Sequence, residues 1–316
     1  MKHKTENWFI TGCNGHLGEE LCLRIKETGR NVIGICRENR NTKKLEENKI
    51  ECIHYNNLPN YLNCNDVLIH CAGKTGQYGS WKEYQSVNIN LTSDLYSLAS
   101  GKKVKKFVFI SSVAALGYKN RKDLVLTENS TPELLKGELY GRSKLEAENK
   151  LLLQSYKSKT DLVILRPGLI YGNPQKNQKQ TWLKRGIIID PLERIPLIHI
   201  ENFKNAVIKV VEANLNDRIF FVVDDEQPSR KYLNEVLLKS GIIRYKPLYI
   251  GKKGFYIYTT IKQLFALILN KPYLNKDFIR ASIAFRTRRL TYDCNLLKSR
   301  TGWESKIKLF DTFIIH

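Results

Sequence analysis

The stretch Thr11-Gly12-Cys13-Asn14-Gly15-His16-Leu17-Gly18 follows a short apolar run at residues 8–10 and leads into a segment with helical spacing. Gly12 permits a sharp turn, Gly15 lets the backbone approach a pyrophosphate, and Gly18 allows a helix to pack closely on a sheet. The N–H groups at the start of such a helix attract phosphate. A strand, this loop and a helix in that order therefore predict a binding site for a dinucleotide.

The rest of the first half alternates between strand-like and helix-like segments. Apolar runs occur at residues 8–10, 32–36, 67–70, 107–110 and 162–165, and a weaker one lies at 51–54. Between two of these runs, Leu17, Leu21 and Ile25 have the spacing of one helix face. Strands that alternate with helices predict an α/β protein of the Rossmann type, with a doubly wound parallel sheet.

The pattern changes after residue 165. Residues 168–190 are rich in loop-forming side chains, while a helix-like segment at 203–213 and a strand-like one at 219–223 are expected to return to the sheet. A mostly helical remainder begins at Pro228. We therefore expect a dinucleotide-binding domain of residues 1–170 with 199–225. Residues 171–198 with 226–316 are expected to form a smaller, mostly helical substrate-binding part.

Composition limits the partners of this chain. Its 316 residues include 52 Lys and Arg against 31 Asp and Glu, which gives a net charge of +21. The basic residues are spread along the chain and do not form one block. That pattern favours a solvated surface, and we expect no nucleic-acid partner. A phosphate-bearing substrate or peripheral contact with an acidic membrane surface stays open as an alternative.

Cysteine and histidine usage argues against a disulfide framework or a metal site. The seven cysteines include no C-x-x-C pair, and the six histidines are scattered. We therefore predict no metal, and free thiols in a reducing cytoplasm. Residues 1–7 are polar, so no signal peptide is expected. The apolar stretch 255–269 is interrupted by Lys262 and Gln263 and is too short and too polar to span a bilayer, which leaves a membrane surface or a pocket wall open as alternatives.

The end of the second predicted strand distinguishes between cofactors. An Asp or Glu there would bind the ribose 2′-OH of NAD, but this chain has Cys36 followed by Arg37. An Arg at that point can hold the 2′-phosphate of NADP through charge-assisted hydrogen bonds. The pattern favours NADP, with NAD as the second choice. The alternative is that Arg37 is only a solvated surface residue.

Further motifs follow in order along nearly the whole chain. They are D-V-L-I-H-C-A-G at 66–73, V-N at 87–88 with Thr92, F-I-S-S at 109–112 followed by Gly117, Y-G-R-S-K at 140–144, L-R-P-G-L-I-Y-G at 165–172, H-I-E-N at 199–202, Y-D at 292–293 and G-W at 302–303. Together they resemble the extended short-chain dehydrogenase/reductases of the epimerase/dehydratase superfamily. That family includes 3β-hydroxysteroid dehydrogenases, dihydroflavonol reductases and nucleotide-sugar epimerases. Leu91 stands where the family usually has Gly.

The resemblance implies that Ser112, Tyr140 and Lys144 form the catalytic centre. Y-x-x-x-K occurs five times in this chain, but only Tyr140 lies after the Ser-Ser strand, at the start of a helix-like run and before the next buried strand. Residues four apart on a helix share a face, so Tyr140 and Lys144 are expected to face one cleft. We expect the ammonium and the nicotinamide charge to lower the pKa of Tyr140, which would then exchange a proton with the substrate oxygen. Ser112 would hold that oxygen.

The resemblance also implies a set of cofactor contacts. The expected residues are Gly12, Asn14, Gly15, His16, Leu17, Gly18, Arg37, Asn57, Ala72, Gly73, Asn88, Tyr140, Lys144 and Pro167. Lys144 would bind the nicotinamide ribose hydroxyls. Asn88 has the alternative of being a helix-packing amide.

The substrate is less well defined by the sequence. The apolar side chains of residues 255–267 suit a hydrophobic substrate or a helical core, whereas Arg286, Arg288 and Arg289 suit a diphosphate or a solvated basic face. We predict an NADP(H)-dependent oxidoreductase that interconverts a secondary alcohol and a ketone. The alternatives are a nucleotide-sugar epimerase, dehydratase or 4-reductase, and, in another class, a non-catalytic dinucleotide-sensing or RNA-binding protein. The family often pairs helices into dimers, so a homodimer is a further expectation.

Overall fold

The computed structural model describes residues 6–37, 41–75, 79–118, 122–172, 186–268 and 276–313. The strands are β1 (Asn7–Thr11), β2 (Asn31–Cys36), β3 (Glu51–His54), β4 (Val67–His70), β5 (Lys106–Ile110), β6 (Lys122–Leu126), β7 (Asp161–Pro167), β8 (Leu169–Tyr171), β9 (Ile187–Ile188), β10 (Leu197–His199), β11 (Ile219–Val222), β12 (Leu248–Tyr249) and β13 (Arg289–Tyr292). The helices are α1 (His16–Glu27), α2 (Lys43–Glu47), α3 (Leu58–Tyr61), α4 (Trp81–Tyr84), α5 (Leu91–Gly101), α6 (Leu139–Ser155), α7 (Ile200–Glu212), α8 (Arg230–Lys239), α9 (Gly251–Ile268), α10 (Lys276–Arg286), α11 (Asn295–Thr301) and α12 (Leu309–Phe313).

Seven parallel strands form the central sheet, in the order β11-β7-β5-β4-β1-β2-β3. Chain order reverses beside β1, so the carboxyl ends of β1 and β4 flank the crevice where ligands bind in such folds. The predicted doubly wound sheet is confirmed. The weak apolar run at 51–54 forms the edge strand β3, paired in parallel with β2.

The sheet is buried on both faces, which explains why its strands appear as continuous apolar runs. Side chains of a strand alternate between the faces. In β1, Trp8 and Ile10 therefore pack in one core cluster with α1 and α7, whereas Phe9 packs in the other with α5 and α6. The sheet and these helices hold the loops at the carboxyl ends of the strands in place.

Short strand pairs connect the later chain to the loops around the sheet. β6 pairs with β13, β8 with β10, and β9 with β12, all in parallel. These pairs place α10 and the segment before β13 beside the carboxyl ends of the sheet. The division at residues 170, 199 and 225 into two parts stays a prediction.

Helix α9 contains most of the apolar stretch that the sequence singled out. Phe255 and Tyr258 pack in a small core with Ile189, Ile279 and Ile283. The helical-core interpretation is therefore the correct one for these two side chains. For residues 262–268 only the backbone of α9 is described, so the prediction for Leu264, Phe265 and Leu267 lies outside the described side chains. Across the described ranges, no helix has the length and apolar character needed to cross a membrane.

Candidate active site

The glycine loop after β1 is tightly packed. Gly12 has φ of +68°, a conformation that favours glycine, and a Cβ there would lie 3.0 Å from the backbone nitrogen of Ala72. A Cβ on Gly18 would lie 2.3 Å from the carbonyl oxygen of Gly12. Gly15 caps α1, and no side chain caps this helix end. The loop thus leaves a backbone-lined cradle that fits a pyrophosphate.

A chain of hydrogen bonds connects this loop to the strand beside it. Thr92 Oγ1 donates to the carbonyl of Asn88 (2.7 Å) and lies 2.9 Å from His70 Nε2. His70 Nε2 therefore carries the hydrogen, and Nδ1 accepts from Thr11 Oγ1 at 2.7 Å. Burial, with a smaller contribution from the Lys144 charge, lowers the pKa of His70 to about 3. This neutral histidine, which sequence analysis did not identify as a site residue, connects β1, β4 and α5.

Ser112, Tyr140 and Lys144 come together as predicted. Ser112 follows β5 and caps a 3₁₀ turn, and its side chain hydrogen-bonds to Tyr140 at the start of α6. One helical turn later, Lys144 Nζ donates to the carbonyl of Ile110 at 2.8 Å. All three line one cavity of about 680 Å³, together with the glycine loop.

Burial determines the protonation of this centre. It raises the pKa of Tyr140 to about 12, and the hydrogen bond from Ser112 only partly opposes that rise. Burial also lowers the pKa of Lys144 to about 8, against the negative charge of Glu148. The protein's own groups therefore do not lower the pKa of Tyr140, and the expected lowering by a bound nicotinamide stays a prediction. Desolvation of the phenolate outweighs its favourable interactions.

The other predicted cofactor residues differ in position. Gly73 and Pro167 line the cavity, as do Gly12, Gly15, His16, Leu17 and Gly18 of the loop. Asn14, Arg37 and Asn57 lie outside the cavity lining, exposed after the carboxyl ends of β1, β2 and β3. Ala72 packs under Gly12.

Asn88 lies in a π-helical segment, Gln85–Asn90, and is buried behind the cavity wall. Its Oδ1 accepts from the backbone nitrogen of Lys74 at 2.7 Å. Its Nδ2 donates to the Lys74 carbonyl at 3.0 Å and to Ser143 Oγ at 2.8 Å. The amide thus joins the loop after β4 to α6, which favours the packing alternative over direct cofactor contact.

A buried ion pair that sequence analysis missed supports α6. Arg166 Nη2 lies 2.6 Å from Glu148 Oε2, and Ser111 donates to the same carboxylate. Glu148 stands four residues after Lys144, so the two share a helix face. This spacing of Lys144 and Glu148 was the one signal in the sequence that could have pointed to Glu148. The pair fixes α6 to the ends of β5 and β7.

The far wall of the cavity comes from the later chain. Ala281 and Phe285 of α10 line it, with Arg288 in the segment before β13. The three clustered arginines have different environments. Arg289 pairs with Asp190, and Arg286 lies over Phe255. Arg288 is 1% exposed, so the solvated-face interpretation is wrong for it.

Comparison with known proteins identifies the family. The sequence model of the NAD dependent epimerase/dehydratase family matches residues 8–217, well over half of the chain. The protein therefore belongs to this family of extended short-chain dehydrogenase/reductases, and it is an NAD(P)-dependent enzyme.

Similar proteins include both reductases and epimerases. A 2-alkyl-3-oxoalkanoate reductase of Shewanella oneidensis is 24% identical over 266 residues, covering 76% of this chain and 67% of its own length. A UDP-glucose 4-epimerase of Vibrio cholerae is 28% identical over 181 residues, covering 55% of this chain and 51% of its own length. Among solved structures, a UDP-glucuronic acid 4-epimerase mutant from Bacillus cereus in complex with UDP-4-deoxy-4-fluoro-glucuronic acid and NAD has a TM-score of 0.72 at 20% identity, covering 97% of this chain and 96% of its own. That likeness concerns the fold.

Proposed function

We propose that this enzyme reduces a ketone to a secondary alcohol with NADPH and that Tyr140 is its general acid. The observation that carries the proposal is the cavity that joins the glycine loop to the hydrogen-bonded pair of Ser112 and Tyr140. The cavity lies at the carboxyl ends of the strands, where ligands bind in such folds. NADPH, when bound, supplies hydride to the carbonyl carbon.

The protonation of Tyr140 favours the reductive direction. With a pKa of about 12, the phenol keeps its proton near neutral pH and can donate it to the oxygen that becomes the alcohol. Ser112, already hydrogen-bonded to Tyr140, would hold the same oxygen. The positive charge of Lys144 would stabilise the phenolate left on Tyr140 and would bind the nicotinamide ribose.

The glycine loop and Arg37 would hold the rest of the cofactor. The cradle formed by Gly12, Gly15 and Gly18 fits the pyrophosphate because side chains there would fill it. Arg37, exposed directly after β2, would bind the 2′-phosphate of NADP. Asn14 follows β1 and Asn57 follows β3, so both also lie at the carboxyl ends of the strands. The preference for NADP rests on Arg37.

The cavity wall and one relative support a ketone as substrate. Apolar side chains such as Val113, Leu139, Leu169 and Phe285 line the space next to Tyr140. The Shewanella relative is named as a reductase of 2-alkyl-3-oxoalkanoates. An apolar cavity with a few polar groups suits a hydrophobic ketone.

The test is NADPH oxidation with a panel of ketones and 3-oxo acids, in the wild type and in Tyr140→Phe. We expect the variant to lose roughly 10²- to 10⁴-fold in kcat because the proton donor is gone. NADPH affinity should be unchanged. Tyr258→Phe, in another Y-x-x-x-K pattern of this chain, is the matched control and should retain full activity. Retained activity in Tyr140→Phe would refute the assigned role.

A nucleotide-sugar epimerase is the second candidate. The Vibrio relative and the Bacillus neighbour favour it. An epimerase recycles its cofactor within each turnover, so denatured protein should release tightly held NAD⁺, and the native protein should interconvert UDP-sugars. Freely exchanging NADPH and no UDP-sugar conversion would favour the reductase. A cytoplasmic location, a homodimer and peripheral membrane contact stay predictions.

A further inference from the structure

A buried charge cluster lies behind the far wall of the cavity. Glu193, Arg230 and Arg288 are each at most 1% exposed. The Nε of Arg230 lies 3.2 Å from Glu193 Oε2, and the Nη1 of Arg288 lies 3.1 Å from Glu193 Oε1. Two guanidinium groups thus share one carboxylate.

Arg288 is the member of this cluster that borders the cavity. Its Nη1 donates to Glu193 and to the carbonyl of Phe285. Its Nε and Nη2 are buried and have no hydrogen-bond partner among the described residues. Nε and Nη2 form one edge of the guanidinium, and their parallel N–H groups match the two oxygens of a carboxylate.

Aromatic rings position this guanidinium. The Cζ atom of Arg288 lies 4.0 Å from the ring centroid of Phe285 and 5.4 Å from that of Tyr118. Both rings line the cavity beside Arg288. Rings on a guanidinium exclude water, which strengthens its attraction for an anion.

The cavity lining also includes an acidic side chain. Glu138 lines the cavity, and its Oε2 accepts from the backbone nitrogen of Leu135 at 3.1 Å. That hydrogen bond holds the carboxylate against its own loop. Aromatic and apolar side chains, those of Tyr118 and Leu139 among them, also line the cavity.

We propose that the Nε–Nη2 edge of Arg288 binds a carboxylate of the substrate. The substrate class is then an amphipathic oxo acid, with its acid group at Arg288 and its carbonyl at Ser112 and Tyr140. This proposal rests on the reductase function above and specifies its substrate. A diphosphate could use the same guanidinium, so the experiment distinguishes the two anions.

The experiment measures binding separately from turnover. The protein loaded with NADPH is titrated calorimetrically with octanoate, with 1-octanol and with UDP. We expect octanoate to bind about 10- to 100-fold more tightly than octanol, because a hydrogen-bonded charged group contributes that difference. Equal affinity for octanoate and octanol in the wild type would overturn the proposal, as would UDP binding that depends on Arg288 without octanoate binding.

Variants assign the effect to Arg288. Arg288→Met should abolish the preference for octanoate, and Arg288→Lys, which retains the charge opposite Glu193, should weaken it. Arg289→Met, which removes the neighbouring arginine paired with Asp190, should leave the preference intact. If Arg288→Met does not fold, the comparison of Arg288→Lys with the wild type decides. Unchanged octanoate preference in both Arg288 variants would overturn the proposal.

Turnover distinguishes this proposal from the proposed function. Arg288-dependent binding of octanoate with no reduction of any oxo acid would refute the reductase and leave the carboxylate site standing. Reduction of 3-oxooctanoate and of its methyl ester at equal kcat/KM would support the reductase and overturn the role of Arg288.

Discussion

The side-chain amide of Asn88 donates a 2.8 Å hydrogen bond to the hydroxyl of Ser143, and so joins the π-helical segment to α6. The same amide binds both the backbone nitrogen and the carbonyl of Lys74. Gly73, beside Lys74, lines the cavity, and a Cβ there would lie 3.5 Å from Lys144 Nζ. Asn88 thereby connects the loop after β4, which lies beside Lys144, to α6.

We expect Asn88→Ala to lower the free energy of unfolding by about 1–3 kcal/mol, because buried polar groups of Lys74 and Ser143 lose their partner. Catalysis should also fall, mainly through kcat, since the loop beside Lys144 is no longer held. Urea unfolding and steady-state kinetics measure the two effects. Asn90→Ala, exposed in the same segment, is the control and should change stability by no more than about 0.5 kcal/mol. Equal effects of the two variants would contradict this role.

The pH dependence of catalysis should follow Lys144. Its pKa is lowered to about 8 by burial, so the ammonium loses its charge as pH rises through 8. The phenol of Tyr140 stays protonated over that range. We therefore expect kcat/KM for ketone reduction to decline above about pH 8, since this parameter reports groups of the free enzyme. Lys144→Arg, which retains its charge, should remove the decline, and an unchanged decline in that variant would show that another group titrates.

Local patterns were enough to predict the sheet and the glycine loop. Each strand of the sheet is a short apolar run, and Gly12 and Gly18 are required by contacts within a few residues or with the adjacent strand. The meeting of Ser112, Tyr140 and Lys144 also followed from the order of motifs along the chain. These features depend on local sequence or on motifs that resemble those of a known family.

Other features depend on packing between distant segments, which no local pattern encodes. Arg286, Arg288 and Arg289 form one cluster in sequence, but only Arg288 has its side chain at the cavity wall, because β13 pairs with β6 beside it. The rise in the Tyr140 pKa that the protein alone produces could not be predicted either, because the extent of burial depends on the assembled cavity. The partners of Asn88 likewise come from separate elements.

Cofactor choice should depend on Arg37. We expect Arg37→Ser to weaken NADPH binding by about 10- to 100-fold, because a charge-assisted hydrogen bond to the 2′-phosphate is lost, and to leave NADH binding almost unchanged. Fluorescence titration of the nicotinamide measures both. Lys102→Ser removes an exposed positive charge between α5 and β5, before the amino end of that strand, and should affect neither cofactor. Equal loss of NADPH affinity in the two variants would indicate only a general effect of charge.

Acid should destabilise the protein through His70. Its pKa is about 3 in the folded protein and about 6.5 in an unfolded chain, so the folded state binds fewer protons between these values. The contribution of His70 to the free energy of unfolding is therefore fully present above about pH 6.5. It is lost as pH falls towards 3, by up to roughly 1.4 kcal/mol per pH unit. Urea unfolding at pH 7.5, 6 and 5 measures the slope. His70→Asn should be less stable at pH 7.5, because the links to Thr11 and Thr92 are weakened, but should have a shallower slope below pH 6.5. A slope that is the same in both proteins would place the acid sensitivity elsewhere.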